Sequence, residues 1–303
     1  MRVREDFKQC VAFFGTRKED GAFRANATGF FVSKEPDYVY LVTAKHVAEN
    51  FPENTYVMRF NPQPYVRALE GYEHKDMEMK KINRWYIHPD DATVDIAVAP
   101  LASLSPRLIA HRTVPESMFF LHNNDAITYT HEEAQTALHN ALMGQFNSIQ
   151  PEKQPNISIG DETYTVGLYS LVPGRNDNVP VIRVGNIAMM PGEPIKCADN
   201  IERELYLIEM RSIAGLSGSP VFALSQVTNT YFLIGMIHGH HTIKESETTL
   251  HTGMALVTPI RRLLEILNQP ELVELRQEQK ALEEKMMDLA HRSQLANSSN
   301  KGA

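Results

Sequence analysis

The sequence contains very little cysteine. Its 303 residues include only two, Cys10 and Cys197, so at most one disulfide can form and a secreted scaffold held by several disulfides is excluded. Because the two cysteines fall in different halves of the chain, two buried free thiols are the favoured interpretation. Free thiols fit a reducing compartment.

The sequence also lacks a long apolar run and an excess of positive charge. No stretch of about 18 uninterrupted apolar residues is present, which argues against a transmembrane helix. Met1–Asp6 leads into a polar segment and not into the apolar core of a signal peptide. The net charge of -7 argues against a general nucleic-acid binder. We therefore expect a cytoplasmic protein with no membrane or nucleic-acid partner.

The most informative segment is the turn of small residues Gly215–Pro220, which carries Ser217 and is followed by apolar residues. The glycines permit backbone conformations that a Cβ would obstruct, so the amides of Gly215 and Ser217 could converge on one substrate oxygen. In that arrangement Ser217 is a candidate nucleophile. A serine is a weak nucleophile on its own and needs a base.

A base and an acid are found upstream. The apolar, β-prone run Tyr40–Val47 contains His46, which is predicted to lie at a strand end. Asp95 lies inside the apolar stretch Thr93–Ala99, where an unpaired carboxylate would cost several kcal/mol to bury. A histidine N–H is a suitable partner, so His46, Asp95 and Ser217 are the candidate base, acid and nucleophile.

Two alternatives compete with this assignment. Asp90 and Asp91 could supply the acid, but they follow Pro89 in a polar turn, where solvent contact explains them more easily. The α/β-hydrolase turn Gly-x-Ser-x-Gly also surrounds a serine with glycines. Ser219 stands where that turn needs glycine, and the serine comes last of the three residues with too little chain behind it.

In this order, the motifs resemble those of the trypsin-like (chymotrypsin-fold) serine peptidases, particularly their disulfide-free bacterial members. The resemblance covers roughly residues 8 to 265, with gaps, and implies a serine peptidase that uses His46, Asp95 and Ser217 and needs no metal or organic cofactor. The matching segments are Thr28–Val32, Thr43–His46, Val94–Ala97, Gly215–Pro220, Leu233–Gly239 and Gly253–Pro259.

The resemblance and the spacing of β-prone runs predict an all-β fold of two six-stranded antiparallel barrels. Residues 1–110 would form the first barrel and residues 156–268 the second, with its closing helix at Ile260–Leu267. Residues 111–155 would be an insertion with a short helix at Thr130–Leu142. An amphipathic helix and a disordered tail would occupy residues 269–303.

The predicted C-terminal helix begins after an interruption at Pro270. Its apolar positions recur every three or four residues, which places them on one stripe that could dock on its own domain or on a partner chain, including a second copy. The stripe consists of Leu272, Leu275, Gln279, Leu282, Met286 and Leu289.

For substrate binding, the family spacing implies that Arg211 approaches the base of the primary pocket and that His238 and Gly239 lie on its wall. No acid occupies the Arg211 position, which counts against a preference for Lys or Arg side chains. An acidic preference is one alternative. The other is that Arg211 is a surface or salt-bridged residue and that His238 hydrogen-bonds near the catalytic acid.

The histidines after residue 237 also permit a metal site. His238 and His240 could share one face of a strand, whereas His241 could not, and His251 follows ten residues later. No cysteine accompanies them, so the favoured interpretation is that they are polar residues lining the cleft between the two predicted barrels, and no metal is expected.

The predicted function is therefore that of a serine endopeptidase with a polypeptide substrate, which forms an acyl-enzyme on Ser217. The alternative is a latent or inactive trypsin-like module that acts in binding or regulation through its C-terminal helix.

Overall fold

The computed structural model describes residues 5–34, 38–50, 56–61, 75–78, 82, 84–101, 113–121, 156–175, 177–211, 215–245 and 248–299. The helix predicted at Thr130–Leu142 lies outside these residues. The described part of the chain is mostly β-structure, followed by two helices at the C-terminal end.

The C-terminal half forms a closed six-stranded antiparallel barrel, which confirms one of the two predicted barrels. Its strands follow one another around the barrel in the order β10-β13-β16-β15-β14-β9. Apolar residues fill its interior, and every residue of β14 is buried. The strands are β9 (Glu162–Gly167), β10 (Val181–Met189), β13 (Tyr206–Glu209), β14 (Pro220–Ser225), β15 (Thr230–Glu245) and β16 (Thr248–Pro259). A separate two-stranded ribbon consists of β11 (Ile195–Lys196) and β12 (Glu202–Arg203).

The N-terminal half forms an eight-stranded sheet in the order β5-β4-β1-β2-β3-β7-β6, with β8 paired in parallel to β2. Among the described residues its end strands β5 and β6 are not paired with each other, so the second closed barrel stays a prediction. The strands are β1 (Val11–Arg17), β2 (Phe23–Lys34), β3 (Tyr38–Thr43), β4 (Tyr56–Phe60), β5 (Lys75–Glu78), β6 (Tyr86–Ile87), β7 (Ala97–Pro100) and β8 (Val114–Pro115).

The two halves share a buried apolar cluster. The ring of Phe7 stacks on Phe222 of the barrel with a centroid distance of 4.4 Å, and one buried cluster includes residues of both halves. Close-packed apolar contact of this kind fixes the two sheets relative to each other. Cys10 and Cys197 are both free and buried, as the sequence predicts.

The described part of the chain contains three α-helices. The short helix α1 (Lys45–Glu49) lies in the N-terminal half, and α2 (Ile260–Leu267) and α3 (Pro270–Ser299) follow the barrel. Four residues of α2 are buried, so it packs one face on the protein as the sequence predicts: Ile260, Leu263, Ile266 and Leu267.

The apolar stripe of α3 is divided. Leu272 is fully buried, and the guanidinium of buried Arg276 donates hydrogen bonds of 2.7 Å to the Tyr40 hydroxyl and the Leu267 carbonyl. The first part of α3 therefore docks on its own chain. Further along, Leu282, Met286 and Leu289 are all about 60% exposed or more.

Helix α3 continues to Ser299, although the composition of residues 293–303 favours disorder. Extending an existing helix costs little, and Gln294, Leu295 and Ala296 are good helix formers. None of the described helices is both long enough and apolar enough to cross a membrane.

Candidate active site

His46 lies in the first turn of α1, immediately after strand β3 ends. The backbone of Ala44 is still extended, and the chain leaves the sheet at that residue. This position leaves 46% of the His46 side chain exposed. The imidazole is therefore accessible from solvent.

Asp95 lies next to His46 because β3 and β7 are antiparallel neighbours, with Thr43 opposite Ala97. Its side chain is only 7% exposed. One carboxylate oxygen, Oδ1, accepts the backbone N–H of His46 at 2.9 Å, and Oδ2 accepts the ring Nδ1–H at 2.7 Å. A carboxylate can only accept, so these bonds assign the proton of His46 to Nδ1 and leave Nε2 as the basic nitrogen.

A second histidine contacts the same oxygen. His238 on β15 also places Nδ1 2.7 Å from Asp95 Oδ2, and its side chain is 16% exposed. The rings of His46 and His238 meet edge-on, with centroids 6.2 Å apart. The geometry therefore matches the interpretation in which His238 bonds near the acid.

These contacts shift the pKa values of Asp95 and His46. Burial of Asp95 raises its pKa, but the hydrogen bonds from His238 and His46 outweigh burial, so the pKa of this carboxyl lies well below its usual range. The hydrogen bond that His46 donates to Asp95 raises the pKa of His46, and burial partly opposes this shift. Asp95 is thus held ionised beside a histidine whose protonated form it stabilises.

The competing acids do not reach His46. Asp91 Oδ1 instead accepts hydrogen bonds from the amide and hydroxyl of Thr93, at 2.9 and 2.5 Å. The amides of Asp90 and Asp91 donate to His88 Nδ1, which holds their turn together. The hydrogen bond from Thr93 lowers the pKa of Asp91.

The serine turn depends on a glycine that packs against the end of β3. Gly218 has φ +84°, and a Cβ there would lie 2.1 Å from the carbonyl oxygen of Thr28 and 3.2 Å from the amide nitrogen of Ala44. Both the positive φ and the close approach exclude a larger side chain. This packing brings the Ser217–Gly218 peptide to the strand end from which His46 departs.

Thr28 joins this turn to the first sheet, a role that the sequence does not indicate. Its amide donates to the Ser217 carbonyl at 3.1 Å, and its hydroxyl donates to the Gly215 carbonyl at 2.8 Å. The same hydroxyl accepts the amide of Leu168 at 3.0 Å. Its sequence signal is its place at the start of the matching segment Thr28–Val32, which does not reveal partners this distant in the chain.

The proposed oxyanion donors have no protein partner among the described residues: neither the Gly215 nor the Ser217 amide donates to any of them. Gly215 has φ +99°. Ser217 is half-buried, and its hydroxyl forms no hydrogen bond to His46 or to another described residue. Catalytic hydrogen bonds are often long before substrate binds.

Open space adjoins the segment predicted to line the specificity pocket. A Cβ on Gly239 or Gly253 would meet no other atom within 4 Å. Arg211 is exposed just beyond β13 and forms no ion pair with another described residue. The ring of His240 contacts the ring of His251, and their centroids are 4.6 Å apart. Burial and the neighbouring His251 lower the pKa of His240.

Comparison of the fold with solved structures gives a likeness to the protease domain of MamO from Magnetospirillum magneticum in its apo form. The TM-score is 0.50 at 11% identity, over 88% of this chain and 100% of that domain. This likeness shows the trypsin-like serine peptidase fold, and the fold alone.

Two further structures give lower scores. HBP has a TM-score of 0.46 at 13% identity, over 89% of this chain and 96% of HBP. An inactive serine-to-alanine mutant of Rv3671c from M. tuberculosis H37Rv scores 0.42 at 13% identity, over 86% and 87% of the two chains. No family model and no curated protein matches the sequence.

Proposed function

We propose that this protein is a serine endopeptidase that cleaves polypeptides through an acyl-enzyme on Ser217. The observation that carries the proposal is the bond between His46 Nδ1 and buried Asp95, formed beside a glycine-bounded serine turn. The trypsin-like fold supports it. A second closed barrel, formed by the N-terminal half, is part of the proposed architecture.

In the proposed reaction, the Ser217 hydroxyl attacks the carbonyl carbon of the scissile peptide. His46 accepts the hydroxyl proton at Nε2 and donates it to the leaving amine, and water then releases the acyl group by the reverse roles. Asp95 stabilises the imidazolium form of His46. The amides of Gly215 and Ser217 stabilise the oxyanion, each contributing about 3 kcal/mol.

The proposed primary pocket lies beside β15, where open space adjoins Gly239. Gly239 and Arg211 are its proposed substrate-binding residues, and Arg211 would meet an acidic side chain. His238 serves the pocket indirectly, because its ring nitrogen already bonds Asp95. Cleavage of a peptide library will identify the preferred residue.

A fluorophosphonate probe tests the nucleophile directly. Wild-type protein should be labelled, and Ser217→Ala should abolish labelling and lower peptidase activity by several orders of magnitude, because Ser217 is the proposed nucleophile that forms the ester. Ser219→Ala is the matched control: this buried serine lies in the same turn and should leave labelling intact. Equal labelling of wild type and Ser217→Ala would refute the assignment.

Two observations favour a second candidate, a latent module that acts through α3. Ser217 makes no bond to His46, and the exposed apolar positions Leu282, Met286 and Leu289 offer a surface for self-association or a protein partner within residues 272–289. Labelling that appears only after a partner is added would support latency. Labelling of the purified protein alone supports the active peptidase.

A further inference from the structure

The cluster around Asp95 contains one more ligand than a proton relay needs. A relay requires one imidazole and one carboxylate, whereas this site places two imidazole nitrogens on the same carboxylate oxygen. The ligand atoms of His46, Asp95 and His238 all lie within 4.8 Å of one another. No other group of three such residues is found among those the structure describes.

Two imidazole nitrogens and one carboxylate oxygen form a donor set that suits zinc and related transition metals. Three protein ligands with a fourth position open to water are common for zinc, whereas magnesium and calcium prefer oxygen ligands alone. The other oxygen of Asp95 is held by the His46 amide, which would orient the carboxylate toward a metal. The exposure of His46 provides access from solvent.

We propose that His46, Asp95 and His238 form a binding site for a divalent transition-metal ion of the zinc type, and that the bound ion inhibits the serine chemistry. The inhibition rests on the proposed peptidase function, whereas metal binding does not. Such an ion would be an inhibitor, in contrast to the sequence-based expectation that no metal takes part.

The inhibition follows from the histidine tautomers. A metal bound at Nδ1 takes the electron pair of that nitrogen, so each neutral imidazole must move its proton from Nδ1 to Nε2. No proton is gained or lost in this exchange. With Nε2 protonated, His46 can no longer accept the proton of Ser217. The metal also neutralises the charge of Asp95. The carboxylate then no longer fixes the tautomer of His46 or stabilises its imidazolium form.

The pair formed by His240 and His251 provides an internal control. Their rings lie 4.6 Å apart, close enough for both to bind one ion. No third ligand joins them among the described residues. Removing His251 therefore separates zinc bound at this two-histidine pair from zinc bound at Asp95.

Calorimetric titration with zinc alone measures the binding, with magnesium as the negative control. Wild type and Ser217→Ala should each bind one zinc ion, since the serine is not a ligand. His238→Gln should weaken binding by at least about 10–100-fold, the usual cost of losing even an outer-shell partner. His46→Gln should weaken zinc binding to the same extent. Because the His46 side chain is half exposed, its replacement disturbs the fold less, so this variant still tests the site if His238→Gln misfolds. His251→Ala should bind as wild type does.

The outcomes separate the two proposals. If zinc does not bind, or if only His251→Ala loses binding, the metal site is refuted. If zinc binds as expected but wild type is never labelled by the fluorophosphonate, the peptidase proposal fails and the metal site stands. If both hold, zinc should slow labelling of wild type and of His251→Ala. The ratio of labelling rates with and without zinc should then be close to one in His238→Gln, whatever its basal rate.

Discussion

Replacing Thr28 with valine tests whether the serine turn is held by the first sheet. Thr28 is fully buried, and valine has nearly the same shape, so the substitution mainly removes the hydroxyl and its hydrogen bonds. The hydroxyl now satisfies the Gly215 carbonyl and the Leu168 amide. In Thr28→Val both backbone groups are left without these bonds.

The expected loss of stability follows from those two groups. A buried donor or acceptor left unpaired costs about 1–3 kcal/mol, so the free energy of unfolding should fall by about 2–6 kcal/mol. Release of the Gly215 carbonyl also loosens the backbone of Gly215, whose amide is a proposed oxyanion donor. Loss of one oxyanion donor lowers the rate by about 100–1000-fold, which bounds the expected fall in labelling of the folded protein.

Thr28→Ser is the matched control, since it keeps the hydroxyl and loses only a methyl group. Urea unfolding gives the stability of each protein, and the rate of fluorophosphonate labelling is measured where each is fully folded. Thr28→Ser should stay near wild type in labelling rate. If Thr28→Val unfolds at the wild-type midpoint and is labelled at the wild-type rate, then Thr28 does not hold the turn.

Two further predictions concern the acid and the C-terminal helix. The labelling rate of wild type should rise with pH, because His46 acts as a base only when it is neutral. The midpoint of this rise should lie above about 6.5, since the pKa of His46 is raised. Asp95→Asn should lower the midpoint and reduce the labelling rate by about 10,000-fold. A midpoint unchanged in Asp95→Asn would show that Asp95 does not control His46. Truncation after Lys280 should preserve the melting temperature and labelling. Truncation after Asn268 should lower the melting temperature, because it removes Arg276 and its hydrogen bonds. Equal melting temperatures of the two truncated proteins would contradict docking of the first part of α3.

Local sequence patterns predicted the elements that carry the candidate site. The run before His46 becomes strand β3, and Asp95 is buried next to that histidine as its apolar surroundings suggest. The glycines of the serine turn adopt the positive φ values that only glycine adopts easily. In each case a few neighbouring residues determine the conformation, so one sequence is sufficient.

For His238, by contrast, the sequence left two roles open, a place on the pocket wall and a hydrogen bond near the acid. Side chains alternate between the faces of a regular strand, but the pairing of β15 with β16 shifts between Ile237 and Gly239. An irregularity at that point breaks the alternation and determines which face His238 takes. Thr28 presents a related difficulty, since its partners lie 140 and 187 residues away and depend on how the two halves pack.

The stripe of α3 shows the limit of periodicity. Its spacing is the same from Leu272 to Leu289, yet only the first part is covered by the rest of the chain. Burial depends on where the helix leaves the protein surface, and the pattern of the helix itself does not contain that information.

Asp95 connects the proposed catalysis to the contact from His238. Its single charge is shared among three N–H donors, two of which meet at one oxygen. In the resting protein the His238 bond helps to keep the carboxylate ionised and fixed. In the proposed reaction, His46 becomes positively charged when it accepts the proton of Ser217. The Asp95 oxygen that stabilises this charge already accepts a hydrogen bond from His238. The second histidine therefore improves the position of the acid while it reduces the stabilisation available to the imidazolium, and the same sharing makes the oxygen a potential metal ligand.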